Sequence, residues 1–279
     1  MKIVDAPFSL ENDGQLWVYF LGCGSAFSKI HYQTNLLIVK GADHLLVDCG
    51  TSCSRSLRQA GLSLLDIRNV VITHSHADHI GGLEEFILTH RYVAHTRPRV
   101  FIPRHYQQIL WSQSLRGGAE HNERHNGRGL RFEDYLEVER PRRISRTDRD
   151  MHRFSVGDIS IRTFRTRHYP EQAESWADAM YSIGLVIDER VVVSGDTQFD
   201  ADLLPTVEPA GGAEAIFHDT QFFPGGIHAS LAEIAELPEP TRSRMWLIHY
   251  GDNFADKREE VRNLAFAGFA EEHRIYEFT

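Results

Sequence analysis

Between Thr73 and His79 the chain reads Thr-His-Ser-His-Ala-Asp-His, which places three imidazoles and a carboxylate within six positions, directly after the apolar run Val70-Val71-Ile72. Alternate residues at an extended strand end point the same way, so His74 and His76 can share one metal ion. Asp78 and His79 follow as the chain turns and face a second ion beside the first. Neutral imidazole and carboxylate oxygen are donors that Zn²⁺ accepts, and Mn²⁺ or Fe²⁺ accepts the same set. Gly81-Gly82 comes next, where the backbone must pass close to its neighbours.

Two ions need further donors, and the ends of other apolar runs offer them. His168 ends the run Ile159–Thr166 and can complete the ion held by His74 and His76. Asp196 lies in Ser194-Gly195-Asp196-Thr197, just after Val191-Val192-Val193, where a carboxylate can give one oxygen to each ion. His249 ends Met245-Trp246-Leu247-Ile248 and can complete the ion held by Asp78 and His79.

These positions need strands and helices to carry them. Leu16–Leu21 reads as a strand ending in Gly22-Cys23-Gly24-Ser25, and Leu36–Val39 and Leu45–Val47 flank a hairpin turn at Gly41-Ala42-Asp43. Ser52–Ala60 reads as a helix stopped by Gly61, Val70–Thr73 as a strand, and Leu83–His90 as a helix. Strand patterns return at Ile159–Thr166, Tyr181–Ile187, Val191–Ser194, Ala215–His218 and Met245–His249, with a turn at Asp188-Glu189. Asp256–Phe266 reads as a closing amphipathic helix. Strands in both halves with helices between them predict two sheets face to face, a four-layer αββα sandwich in the α/β class. Residues 1–279 are expected to form one domain. Trp111–Arg131, rich in Gly, Arg, Asn and His, is expected to be an inserted loop or arm that could reach a partner subunit in a homodimer.

Composition narrows the function. No stretch of eighteen apolar residues is present to span a membrane, and the first residues lack a signal-peptide pattern. Three cysteines, Cys23, Cys49 and Cys53, form no disulfide framework, and a cytoplasmic setting is expected. A net charge of −9 disfavours extended polyanion binding. Residues 97–153 run against that trend, with thirteen Arg to eight Asp or Glu, and this basic edge could draw a small anionic substrate. Tyr169 and Trp176, following His168, are candidates to stack on a nucleobase.

The set His74-x-His76-x-Asp78-His79, then His168, Asp196 and His249 in that order, resembles the metallo-β-lactamase superfamily over nearly the whole chain. The resemblance implies that fold and a dinuclear zinc centre. Phe20-Leu21-Gly22-Cys23-Gly24-Ser25-Ala26 resembles the opening of the ribonuclease Z and cyclic-nucleotide phosphodiesterase branch, and Phe217-His218-Asp219-Thr220-Gln221-Phe222 resembles its His-Glu-Ala-Thr-Phe segment. His228, twenty-one residues before His249, matches the catalytic histidine of that branch. Asp48 and His218 are expected to orient ligand imidazoles.

Two departures bear on the substrate. The chain reads Thr51-Ser52-Cys53 after Asp48-Cys49-Gly50, and Tyr250-Gly251-Asp252 after His249, in place of the Glu-Gly-Thr-Gln and Ser-x-Arg-Tyr of tRNA processors. The expected activity is therefore a zinc phosphodiesterase acting on a small nucleotide, a cyclic one foremost. A hydroxide between the ions, oriented by Asp78, would attack phosphorus, and His228 would bind the phosphate or protonate the leaving oxygen. RNA 3′-end cleavage and hydrolysis of a lactone, ester or thioester remain the other readings.

Overall fold

The computed structural model describes residues 1–4 and 7–279. Strands β1 (Lys2–Val4), β2 (Leu16–Gly22), β3 (Asn35–Lys40), β4 (Asp43–Val47), β5 (Asn69–Val71) and β6 (Arg99–Phe101) lie in the first part of the chain. A small hairpin of β7 (Arg124–His125) and β8 (Arg128–Gly129) precedes β9 (Glu137–Glu139) and β10 (Arg142–Arg143). The second part carries β11 (Met151–Val156), β12 (Ile159–Arg165), β13 (Ile183–Ile187), β14 (Val191–Val193), β15 (Ala215–Asp219), β16 (Met245–Ile248), β17 (Gly268–Phe269) and β18 (Ile275–Phe278).

Among the described residues the larger sheets run β1-β18-β2-β3-β4-β5-β6-β9 and β10-β11-β12-β13-β14-β15-β16-β17. Each begins with antiparallel strands and continues with parallel ones, from β4 to β9 and from β14 to β17. Parallel neighbours need crossovers, and short helices supply them: Cys53–Gln59 between β4 and β5, Leu83–Thr89 between β5 and β6, Leu203–Val207 between β14 and β15, and Leu231–Ile234 before β16. Every residue of β13, β14 and β15 is buried, as near-continuous Val, Ile and Leu runs dictate. Between the sheets, Phe20 of β2 and Tyr276 of β18 meet Phe217 of β15, with ring centroids 4.8 and 5.1 Å from the Phe217 ring. The chain thus has the αββα architecture expected from its sequence. The carboxyl ends of the parallel strands share one edge, where open α/β sheets bind ligands.

Several elements differ from the sequence reading. The closing helix Asp256–Phe266 is instead a 3₁₀ stretch, Asp252–Lys257, leading into the short helix Arg258–Asn263. Asp252 accepts hydrogen bonds from the backbone of Lys29 and Ile30, which starts the turn earlier than apolar spacing indicates. The stretch 111–131 is built of helical turns (Trp111–Leu115 and Arg116–Ala119) and the β7–β8 hairpin, with Leu115, Ala119 and Leu130 buried. β1, β6 to β11, β17 and β18 have no counterpart in the sequence reading. In β11, near a sheet edge, Arg153 and Ser155 on one face are exposed while His152 and Phe154 on the other are half-buried.

Candidate metal centre

The site begins where β4 and β5 end. Asp48, just past β4, has a left-handed backbone (φ 66°) that turns its carboxylate toward the next strand. That carboxylate accepts from the backbone N–H of Thr73 (2.7 Å), the Thr73 hydroxyl (2.7 Å) and His79 Nδ1–H (2.6 Å). It fixes the His79 tautomer so that Nε2 is the free ring nitrogen. Past β5 the chain stays extended through His74 and His76, and His76 caps the single helical turn Ala77–Ile80 that carries Asp78 and His79. The turn sits against bare backbone. A Cβ on Gly50 would lie 1.8 Å from the Asp78 carbonyl oxygen, and one on Gly82 would lie 2.5 Å from the Gly50 carbonyl oxygen. The second sheet faces these groups with His168 after β12, Asp196 after the left-handed Gly195 (φ 60°), and His249, itself left-handed (φ 58°), after β16. A hydrogen bond from Ile183 N–H to the Thr73 carbonyl (3.2 Å) ties the two sheets together beside them.

The side chains converge in two groups that share one carboxylate. His76 Nδ1 lies 3.0 Å from His74 Nε2 and 3.1 Å from His168 Nε2. Asp78 Oδ2 lies 3.3 Å from His79 Nε2 and 3.1 Å from His249 Nε2. Asp196 Oδ2 stands between the groups, 3.2 and 3.4 Å from His79 and His249 Nε2, and 3.7 and 3.8 Å from His74 and His168 Nε2. For zinc–nitrogen bonds of 2.0–2.1 Å in a tetrahedron, donor atoms sit roughly 3.3 Å apart, which is the spacing found at this centre. The donor chemistry agrees. His79 Nε2 and Asp196 Oδ2 are buried without a hydrogen-bond partner, and His168 gives its Nδ1–H to the Ile227 carbonyl (2.9 Å), leaving Nε2 as a lone-pair donor toward the centre. The residues fit divalent metal ions.

The local fields follow. Burial lowers the His74 pKa well below its ordinary value, with His79 adding to the effect, and burial holds His168 down to about 4 despite the opposing Asp196. Burial also disfavours charge on His79 and His249, but the nearby carboxylates, Asp196 first, outweigh it and raise both. Asp196, although buried, is held well below the usual carboxylate range by His249 and His79.

His228 stands over the second group. Its Nδ1 lies 2.7 Å from Asp219 Oδ2, and its ring stacks on His249 with centroids 4.6 Å apart. Asp219 Oδ1 also faces His249 Nδ1 at 3.4 Å. Burial works against the Asp219 charge, yet His228 and His249 hold its pKa to about 2. The His228 loop is closed by Gln221 N–H donating to the Ala229 carbonyl and Ala229 N–H donating to the Thr197 carbonyl, both at 2.8 Å.

Residues 16–276 match the model of a family described as anti-Pycsar protein Apyc1. The chain belongs to the anti-Pycsar Apyc1 family. Proteins similar to it include anti-Pycsar protein Apyc1 of Bacillus phage BSP38, 34% identical over 263 residues, covering 90% of this chain and 94% of that protein. Another, from Paenibacillus xerothermodurans, is 30% identical over 266 residues, covering 95% and 98%. Among solved structures, the metallo-β-lactamase fold protein YhfI from Bacillus subtilis aligns with a TM-score of 0.66 at 15% identity, over 95% of this chain and all of that one. A diphosphatase from the PhnP family aligns with a TM-score of 0.65 at 14% identity, over 95% and 98%. The chain shares the metallo-β-lactamase fold that its sequence resembles.

Against this family background, the structure brings together all seven sequence-predicted ligand positions and His228. It corrects His218. Successive residues of a strand face opposite sides, and Phe217 of β15 faces the other sheet, so Asp219 shares that inward face while His218 points outward. The His218 Nδ1–H donates to the Asp219 carbonyl (2.7 Å), and Asp219 is the carboxylate that orients His228 and His249. Strand parity counted from Phe217 is the signal by which the sequence could have pointed to Asp219 instead of His218. Asp48 orients a ligand imidazole as expected. Tyr169 lies at the rim, half-buried, with its ring 4.5 Å from that of His76. Trp176 is not at the centre. Arg165 donates to the carbonyls of Trp176, Ala179 and Met180 and folds the stretch away, so that Trp176 lines a separate cavity of about 390 Å³ with Arg149, Arg167 and Asp200.

Proposed function

We propose that this chain is a dinuclear metal phosphodiesterase, zinc being the ion its donor set best suits, and that its substrate is a cyclic nucleotide. His74, His76 and His168 would hold one ion, and Asp78, His79 and His249 the other, with Asp196 shared between them. The observation that carries the reading is Asp196 Oδ2 within 3.8 Å of four ligand imidazole nitrogens from both groups. When bound, such a pair supplies Lewis acidity, making water nucleophilic near neutral pH and offsetting charge on phosphoryl oxygens.

The chain's own groups do the rest. Asp219 accepts the Nδ1–H of His228 and so supports its imidazolium form, which would give the Nε2 proton to the departing alkoxide oxygen and be left as the neutral Nδ1–H tautomer. The neighbouring Asp78 orients the attacking water through a carboxylate oxygen, and buried Asp48 and Asp219 keep the imidazoles aligned, so little rearrangement accompanies the reaction. Membership of the anti-Pycsar family supports this reading, and the fold shared with a diphosphatase is consistent with attack at phosphorus. The chain is a metal-dependent hydrolase on this account. Among the described residues no helix is long and apolar enough to cross a membrane.

The test is a panel offered to zinc-loaded protein: bis-p-nitrophenyl phosphate, 2′,3′- and 3′,5′-cyclic nucleotides, pre-tRNA, a lactone and a thioester. Cyclic nucleotides should be turned over fastest. Hydrolysis of the lactone or thioester with every phosphodiester untouched would end the proposal.

A further inference from the structure

Beside the metal centre lies a cleft of about 160 Å³ whose inner end is formed by His228 and His249. Its walls are mostly apolar. Phe222 is anchored against Phe269, with centroids 6.0 Å apart, but Phe27 and Phe223 are left 85% and 63% exposed, with no ring partner among the described residues. Large rings held in water at a single site mouth call for a ligand that covers them. They come from different loops, Phe27 from the segment after β2 and Phe223 from the segment after β15. The loop after β16 adds Asn253, whose exposed amide has no protein partner among the described residues.

The loops are held in place. The Asp252 carboxylate accepts from the Ser28 hydroxyl and from the backbone N–H groups of Lys29 (2.9 Å) and Ile30 (3.3 Å), which locks the Phe27 loop to the Asn253 loop. Gln221 donates its side-chain N–H to the Phe223 carbonyl (2.9 Å) and to the Gly225 carbonyl, which stiffens the Phe223 loop.

We infer that the nucleobase of the substrate occupies this cleft, covered by the Phe27 and Phe223 rings, with the Asn253 amide bonding its polar edge. The inference rests on the phosphodiesterase reading and deepens it. A phosphate reacting beside His228 and His249 has its sugar and base directed along the cleft these histidines close. A flat heterocycle with apolar faces and a polar rim matches apolar walls and one free amide. The Asn side chain both donates and accepts, so it can pair with purine or pyrimidine edges. The base-stacking role expected of Trp176 passes to Phe27 and Phe223.

The test compares kcat/KM for 3′,5′-cyclic nucleotides with that for an abasic analogue, the 3′,5′-cyclic phosphate of 1-deoxyribose. Removing stacked rings (F27A with F223A) should cost the nucleotides at least about tenfold more than the analogue, about 1.4 kcal/mol, mainly through KM. F27W, which keeps a ring, should recover most of the loss relative to F27A, and metal content should stay at the wild-type level in each variant. N253A should narrow the differences in kcat/KM among bases. Equal losses on nucleotide and analogue, or no loss on either, would overturn the inference while leaving the phosphodiesterase reading intact. Wild-type protein inert toward every cyclic phosphate would overturn that reading and the inference with it.

Discussion

His228 and Asp219 show how much of this site is decided by single side chains. Asp219 is buried and Nδ1 of His228 sits 2.7 Å from it, so the imidazole has one supported tautomer and a fixed tilt over His249. Replacing His228 with Ala removes a proposed proton donor whose Nδ1 is taken up by Asp219 and lies 4.0 Å from Asp196 Oδ2. The variant should keep wild-type metal content while kcat for a phosphodiester falls by about 10²–10⁴, the usual contribution of a positioned acid. Asp219→Asn should fall between wild type and His228→Ala, because the ring remains but its orientation loosens. Loss of metal in His228→Ala would show that the residue is a ligand rather than a proton donor. At this scale the sequence was highly legible where donors crowd together, as in His74-Ser75-His76-Ala77-Asp78-His79. It was less so where a choice between neighbours depended on strand parity, as for His218 and Asp219, or where a backbone-capturing side chain such as Arg165 redirected a loop and carried Trp176 away.

The elements aim these side chains through the way strands end. Asp48, Gly195 and His249 each follow or approach a strand terminus in the left-handed region, which reverses the chain sharply and delivers Asp48, Asp196 and His249 to one edge. Strain of this kind in non-glycine residues is retained where the surroundings fix it, as the hydrogen bonds to Thr73 and His79 do for Asp48. The helical turn Ala77–Ile80 depends in addition on glycine backbone beneath it. Gly50→Ala places a methyl group against the Asp78 carbonyl, a contact the backbone cannot accept without moving. Chemical denaturation should show a loss of about 2 kcal/mol, and bound metal should drop toward one per chain as Asp78 shifts. Unchanged stability and metal content would refute this dependence of the turn on Gly50. Apolar runs such as Val191–Val193 and Met245–Ile248 were readable as buried strands because both their faces are covered. β11 and β18 were not, since β11 exposes Arg153 and Ser155 and β18 interrupts its apolar residues with the half-buried Glu277. The stretch 111–131 lacks apolar spacing because its helical turns bury only a few residues, Leu115 and Ala119 among them.

For the whole molecule, the ends of the chain secure the sheet that carries the His-rich run. β18, the last strand, inserts between β1 and β2, and Trp17 Nε1–H donates to Glu277 at 3.0 Å. Tyr276 of β18 joins the Phe20 and Phe217 rings across the two sheets and is fully buried. Tyr276→Ala should therefore destabilise the protein by about 4 kcal/mol and lower Tm by on the order of 10 °C, as scanning calorimetry would record. A shift of a degree or less would mean that the sheets are not held together through this cluster. The basic stretch 97–153 is partly neutralised from within, with Arg116 on Glu120, Arg128 on Asp134 and Arg143 on Asp150. Its excess positive charge is accordingly a weaker attractant than its composition indicates.

The central claim is that seven side chains from both sheets cage two metal ions with Asp196 between them. Anomalous diffraction at the zinc edge, from crystals of the zinc-loaded protein, tests it most directly. Two peaks about 3.5–4 Å apart are expected, one among His74, His76 and His168 and the other among Asp78, His79 and His249, with Asp196 touching both. No peak at this edge of the sheets, or a single ion that Asp196 does not touch, would contradict the account.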